Sequence, residues 1–171
     1  MRILKIIVLC LLLPVLGCGS SNNKYNLNGI SVGEDVKTFQ VNNFRNNAEV
    51  VEPGIDRTFT QRLQELVKNQ TRLTIDSSSA DLVYEGEITQ FRVTPMTATA
   101  NQRASQNRLT VTVNVRFTNN KNSKYDFENQ FSFYHDYDAN KLLTGATLSN
   151  ATDEIFERIT QDIFNESLGK W

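Results

Sequence analysis

The sequence predicts an α+β fold: a two-layer sandwich in which a small mixed, mostly antiparallel sheet is covered on one face by two helices. Long runs between Leu82 and Phe133 alternate apolar and polar residues with the two-residue period of a strand. Two flanking segments repeat apolar residues with the helical period. The bulk numbers agree, with 171 residues, 39% hydrophobic, 22% charged and a formal net charge of -1. They fit one domain of ordinary size and exclude a disordered tail, a collagen-like repeat and a multi-domain enzyme. The near-neutral balance excludes a general nucleic-acid binder, which needs a basic domain.

Val36 to Val41 is a short strand between Gly33 and Asn42-Asn43. After Pro53-Gly54, Ile55, Phe59, Leu63 and Val67 recur every four residues with Leu66 beside them, which predicts a helix over 55–69. Thr71 to Asp76 adds a short strand, and Ser77-Ser78-Ser79 is a turn. Leu82, Tyr84, Gly86 and Ile88 share one parity, Phe91 and Val93 the other. The phase change predicts a bulge near Thr89-Gln90, because one extra residue reverses the faces. Gly86, between Glu85 and Glu87, suggests close packing against a helix. Leu109, Val111, Val113, Val115 and Phe117 alternate with polar residues without a break. A turn at Asn119 to Lys124 leads to Tyr125, Phe127, Phe131 and Phe133, which alternate again. One apolar face and one wet face suit an antiparallel sheet covered on one side. The last helix carries Leu148, Ile155, Ile159 and Ile163 on one face, widened by Phe156, Phe164 and Leu168. Ser149 or Thr152 suits its start and Gly169 its stop. The element order is β-α-β-β-β-β-α.

Residues 1–17 read as an export signal. Arg2 and Lys5 form a positive start, and Ile6 to Leu16 an apolar run too short to span a bilayer. The run ends Val15-Leu16-Gly17-Cys18, which resembles the lipobox of bacterial lipoproteins, with Leu16 where a small residue is commoner. A thiol is the nucleophile that takes up a diacylglyceryl group, and cleavage frees the Cys18 amine for a third acyl chain. Two or three chains anchor stably, at roughly 0.8 kcal/mol per buried methylene. These covalent lipids are the only prosthetic groups expected. No acidic residue follows Cys18 closely, so outer-membrane sorting and a periplasmic orientation are the default. Residues 18–33 are a lipidated, polar tether, and residues 34–171 form the domain. Loss of the leader removes Arg2 and Lys5 and leaves the mature chain acidic.

After the lipobox come Asp35-Val-Lys-Thr-Phe-Gln-Val41, Phe59-Thr-Gln-Arg-Leu63, Gln70-Thr-Arg-Leu-Thr74 and Tyr84-Glu-Gly-Glu-Ile88 with Val93-Thr-Pro95. Asn107-Arg-Leu-Thr-Val-Thr-Val113, Phe127-Glu-Asn-Gln-Phe131 and the stretch from Asp162 to Trp171 complete the series. In this order they resemble the LptE family of lipopolysaccharide-assembly lipoproteins, in its Bacteroidetes-like form. The resemblance covers nearly all of the mature chain. It implies a non-enzymatic outer-membrane lipoprotein that partners the LptD barrel, plugs its lumen, helps it assemble and binds lipopolysaccharide during delivery. Only Cys18 carries over residue by residue.

From Ile88 to Tyr125 there is no Asp or Glu, while Arg92, Arg103, Arg108, Arg116, Lys121 and Lys124 all fall there. Arg92, Arg103 and Arg108 bracket a fourteen-residue loop, Thr94 to Asn107. Such loops are often functional. Arg92, Arg103, Arg108, Lys121 and Lys124 are therefore candidate contacts for lipopolysaccharide anions or acidic barrel positions. The bland alternative is that they only solubilise the hairpins. Arg116 has its own structural explanation, facing Glu85 on one neighbour and Asp126 on the other. His135-Asp-Tyr-Asp138 suggests a metal or acid/base cluster, but His135 shares parity with Phe131 and Phe133, and no nucleophile accompanies it. An independent periplasmic module that binds a lipid, glycan or peptide without a barrel is the alternative function.

Overall fold

The computed structural model describes residues 33–50, 52–96 and 105–169. The leader, Cys18, most of the tether, Arg103 and Trp171 lie outside the described residues. Six strands and two helices follow in order: β1 (Thr38–Val41), β2 (Arg45–Asn46), α1 (Ile55–Gln70), β3 (Thr74–Ile75), β4 (Leu82–Met96), β5 (Gln106–Asn119), β6 (Phe127–Asp138) and α2 (Gly145–Leu168). The sheet order is β3-β1-β4-β5-β6, with β2 also on β4. β1 runs parallel to β3 and β4, whereas β4, β5 and β6 form the antiparallel meander. This is the α+β sandwich that the periodicities predict.

Alternation puts Leu82, Tyr84, Ile88, Leu109, Val111, Val113, Val115 and Phe117 on one face, all buried. Phe59, Leu63 and Val67 of α1 and Ile155, Phe156, Ile159 and Ile163 of α2 close over them. Phe59 joins three elements, meeting Phe44 edge-on at 4.9 Å and Phe156 at 5.1 Å. Such pairs contribute about 0.5–1.5 kcal/mol each beyond their buried area. The Tyr84 hydroxyl reaches through the core to Ser167 Oγ, at 2.9 Å, and burial pushes its pKa far up. The predicted bulge is present, with the β4–β5 register shifting between Ile88 and Gln90.

β2 is the element that the sequence reading lacked. With β1 it forms one interrupted strand along β4: Val41 lies opposite Tyr84 and Arg45 opposite Glu87. In the interruption Phe44 turns into the core, and its N–H donates to Thr60 Oγ1 on α1, at 3.1 Å. Thr60 in turn donates to the Asp56 carbonyl. Thr60→Val keeps the shape but orphans a buried N–H, which costs about 1–3 kcal/mol. The expected readout is a lower denaturant midpoint with an unchanged slope.

Three boundaries differ from the sequence reading. β4 runs on to Met96 and β5 begins at Gln106, so backbone pairing consumes both ends of the expected loop between Thr94 and Asn107. The turn after β5 is longer than Asn119 to Lys124, because a 3-10 turn at Ser123–Tyr125 delays β6 to Phe127. Neither Ser149 nor Thr152 caps α2. The helix begins at Gly145, and those hydroxyls bond within it, to Asp153 and to the Leu148 carbonyl.

Candidate functional site

The strand directions fix two ends of the molecule. β4 and β6 run towards one end and β5 runs back. At the first end lie the close of β4, the start of β5, the link from β6 to α2, and the N-termini of both helices. At the other end lie the entry of the chain into β1, the β5–β6 turn and the C-terminus of α2. The fourteen residues of β5 separate the two ends by about 45 Å.

The candidate cations divide between these ends and differ in how they are held. Arg92, at the β4–β5 end, is more than half exposed, and among the described residues its only ion pair is a loose 3.6 Å contact with the exposed Glu49. Arg108, at the same end, is committed. It donates Nε and Nη2 to the two oxygens of Asp136 at 2.7 and 2.8 Å, and its guanidinium lies 3.6 Å over the Tyr134 ring. That bidentate bond holds the Asp136 carboxyl below its ordinary pKa and raises that of Arg108. At the other end Lys121 pairs with Asp81 at 3.1 Å, whereas Lys124 is exposed and makes no ion pair with a described residue. No single patch therefore gathers Arg92, Arg108, Lys121 and Lys124.

Arg116 lies midway along the uncovered face. It meets Glu85 as expected, at 3.6 Å, but its second partner is Glu128, at 3.0 Å, and not Asp126. Asp126 instead accepts from the Asn119 N–H, inside the longer turn. The His135-Asp-Tyr-Asp138 group is dispersed by alternation. His135 faces α2 and meets Glu154 at 2.9 Å, Asp136 binds Arg108 on the opposite face, and Asp138 binds Asn140. Among the described residues no three His, Cys, Asp or Glu side chains converge as metal ligands. Gly86 does not meet a helix. It makes room for the Phe44 ring and the Asn114 carbonyl.

Two depressions are visible only in the folded chain. A polar groove of about 530 Å³ runs between α1 and α2, lined by Gln61, Arg62, Glu65 and Gln161 among others. A smaller one, of about 300 Å³, lies at the β4–β5 end beside His135, Tyr137 and Lys141. There the molecule exposes apolar side chains too: Leu142 is 81% and Val93 41% exposed. Lys141 and Leu142 escaped sequence analysis because nothing in a short polar link marks them. Only the strand directions bring them to the same end as Arg92.

A family model described as lipopolysaccharide-assembly, LptE, matches residues 36–167, from just before β1 to the last turn of α2. The chain belongs to the LptE family. Its work therefore lies in lipopolysaccharide assembly, and the family is one of non-enzymatic proteins. No curated protein matches this chain. Among solved structures, protein XCC0632 from Xanthomonas campestris is similar, with a TM-score of 0.51 and 8% identity over 78% of this chain and 84% of that one. The hypothetical protein CT253 from Chlamydia trachomatis gives a TM-score of 0.50 and 9% identity over 77% of this chain and 98% of that one. At such identities the likeness shows a shared fold.

Proposed function

We propose that this chain is an outer-membrane lipoprotein subunit of the lipopolysaccharide translocon. Anchored through acyl chains on Cys18, it assembles with the LptD barrel, plugs its lumen and assists delivery of lipopolysaccharide to the outer leaflet. The family match over residues 36–167 carries this reading. The layout supports it. The chain enters the domain at the β1 end, where the tether arrives. The opposite end, about 45 Å away, combines the cations Arg92 and Lys141 with exposed Val93 and Leu142. Cationic and apolar groups side by side suit a phosphorylated, acylated ligand. Arg103 belongs to the same connection in sequence.

The deciding experiment is a pull-down of the mature lipoprotein, followed by depletion. A large outer-membrane barrel is expected to co-purify, and surface lipopolysaccharide to fall on depletion. If neither happens, the chain is an independent binding module. At the contact end, Arg92→Gln with Arg103→Gln is expected to weaken lipopolysaccharide binding several-fold with little change in melting temperature. Arg108→Gln is expected to lower the melting temperature, because it leaves Asp136 unpaired. Equal binding by wild type and the double variant removes these arginines from the contact.

A further inference from the structure

β6 is an edge strand of twelve residues that pairs with β5 along its whole length without a register shift. No other strand pairs with its outer side among the described residues. Natural edges are protected by shortness, proline, bulges or charged side chains, lysine above all. The opposite edge follows that rule, since β3 has two residues and ends in a turn where Asp76 accepts from the Ser78 N–H. β6 has no proline, glycine, lysine, arginine or bulge, and two of its three carboxylates, Glu128 and Asp136, are taken up by Arg116 and Arg108 of β5. Its core side is also unfinished. Phe127, Phe131 and Phe133 pack against the core but remain half-buried, in a row along this edge.

We infer that the outer edge of β6 is a docking strand for a partner protein, which adds an extended segment to the sheet. The added segment is apolar on the side that covers the Phe127, Phe131 and Phe133 seam and neutral or basic on the other. Main-chain pairing supplies affinity, and alternate side chains supply specificity. Charge disfavours a second copy paired so that the two phenylalanine seams meet. β6 carries Glu128, Asp136 and Asp138 and no cation. A two-fold register that sets Phe131 of one copy opposite Phe133 of the other sets Glu128 opposite Asp136, and like charges directly opposed destabilise a sheet. This docking strand rests on the reading above, in which the partner is the LptD barrel.

The test uses the full lipoprotein in cells. A photo-crosslinking residue is placed at the exposed Asn129, with Glu65 on α1 as control, and Asn129→Lys supplies a natural form of edge protection. Asn129 makes no side-chain hydrogen bond among the described residues, so the lysine leaves the fold intact. The expected result is a barrel adduct from position 129 that clearly exceeds any from position 65. Asn129→Lys is expected to lower recovered barrel at least five-fold with an unchanged melting temperature. A wild type that brings down the barrel, yet gives no adduct from position 129 or an adduct between two copies of itself, overturns the docking strand alone. A barrel that never co-purifies with the wild type overturns the translocon reading and this strand with it.

Discussion

Gly86→Ala is expected to destabilise the domain by about 3 kcal/mol, at the upper end of overpacking costs. A Cβ at this position collides with the Asn114 carbonyl oxygen and lies 2.8 Å from Cε1 of Phe44. Neither neighbour is free to give way. Asn114 belongs to β5, paired with β4 on one side and β6 on the other, so moving its carbonyl disturbs two ladders. Phe44 is wedged edge-on against Phe59 and fixed by its N–H bond to Thr60. For a chain of this length the loss corresponds to a fall in melting temperature of roughly 10 °C. Gly54→Ala is the natural comparison. Gly54 has a φ of 81°, but nothing lies within 4 Å of a Cβ placed there, so only backbone strain of about 1 kcal/mol is expected. The double variant Gly86→Ala with Phe44→Leu should recover little, because the carbonyl remains. Equal melting temperatures for the two alanine variants would show that β4 and β5 have slack at this point.

The same glycine marks where sequence reading stops. The period-two pattern of β5 and the four-residue recurrence of α1 are each set by burial of one face, so both elements are legible along the chain. Gly86 is also legible as a place of close approach. What approaches it is not, because Phe44 lies forty-two positions away in a break between two strands, the second of which has only two residues. Register fails for a related reason. Placing Arg116 opposite Asp126 assumes a turn ending at Lys124, whereas the 3-10 turn lengthens the connection and moves the whole ladder by two residues, so that Arg116 meets Glu128. The same shift sets Arg108 opposite Asp136 and not Tyr134. The length of that turn therefore decides which β6 residue Arg108 meets. The acid-free stretch from Ile88 to Tyr125 is real in sequence, yet it becomes a hairpin whose partners, β6 and the 47–50 segment, bring the missing carboxylates alongside.

Asp81 gives the second large effect, at the end where the tether enters. Its carboxylate accepts from the Lys37 N–H at 2.8 Å and the Thr38 N–H at 3.0 Å, and it meets Lys121 Nζ at 3.1 Å. Its own N–H donates to Thr38 Oγ1. One side chain therefore fastens the incoming chain to β4 and to the β5–β6 turn. The Lys37 N–H bond first, then the Lys121 and Thr38 contacts, bring its pKa down from 3.8 to about 2. A carboxyl held lower in the folded state than in the unfolded one stabilises the fold fully above its unfolded pKa. That contribution disappears as pH falls through the folded value. The side chain is only 13% exposed, so the shift is worth about 2 kcal/mol near neutral pH. Asp81→Asn is expected to lower the melting temperature by about 5 °C at pH 7. The difference from wild type should shrink between pH 4 and pH 2, as the wild-type carboxyl protonates. Asp76, Asp136 and Asp138 also have lowered pKa values, so the variant keeps a residual acid sensitivity. A gap between the two proteins that stays constant from pH 7 to pH 2 would mean that shape, and not the charge on Asp81, holds the entry of the chain in place.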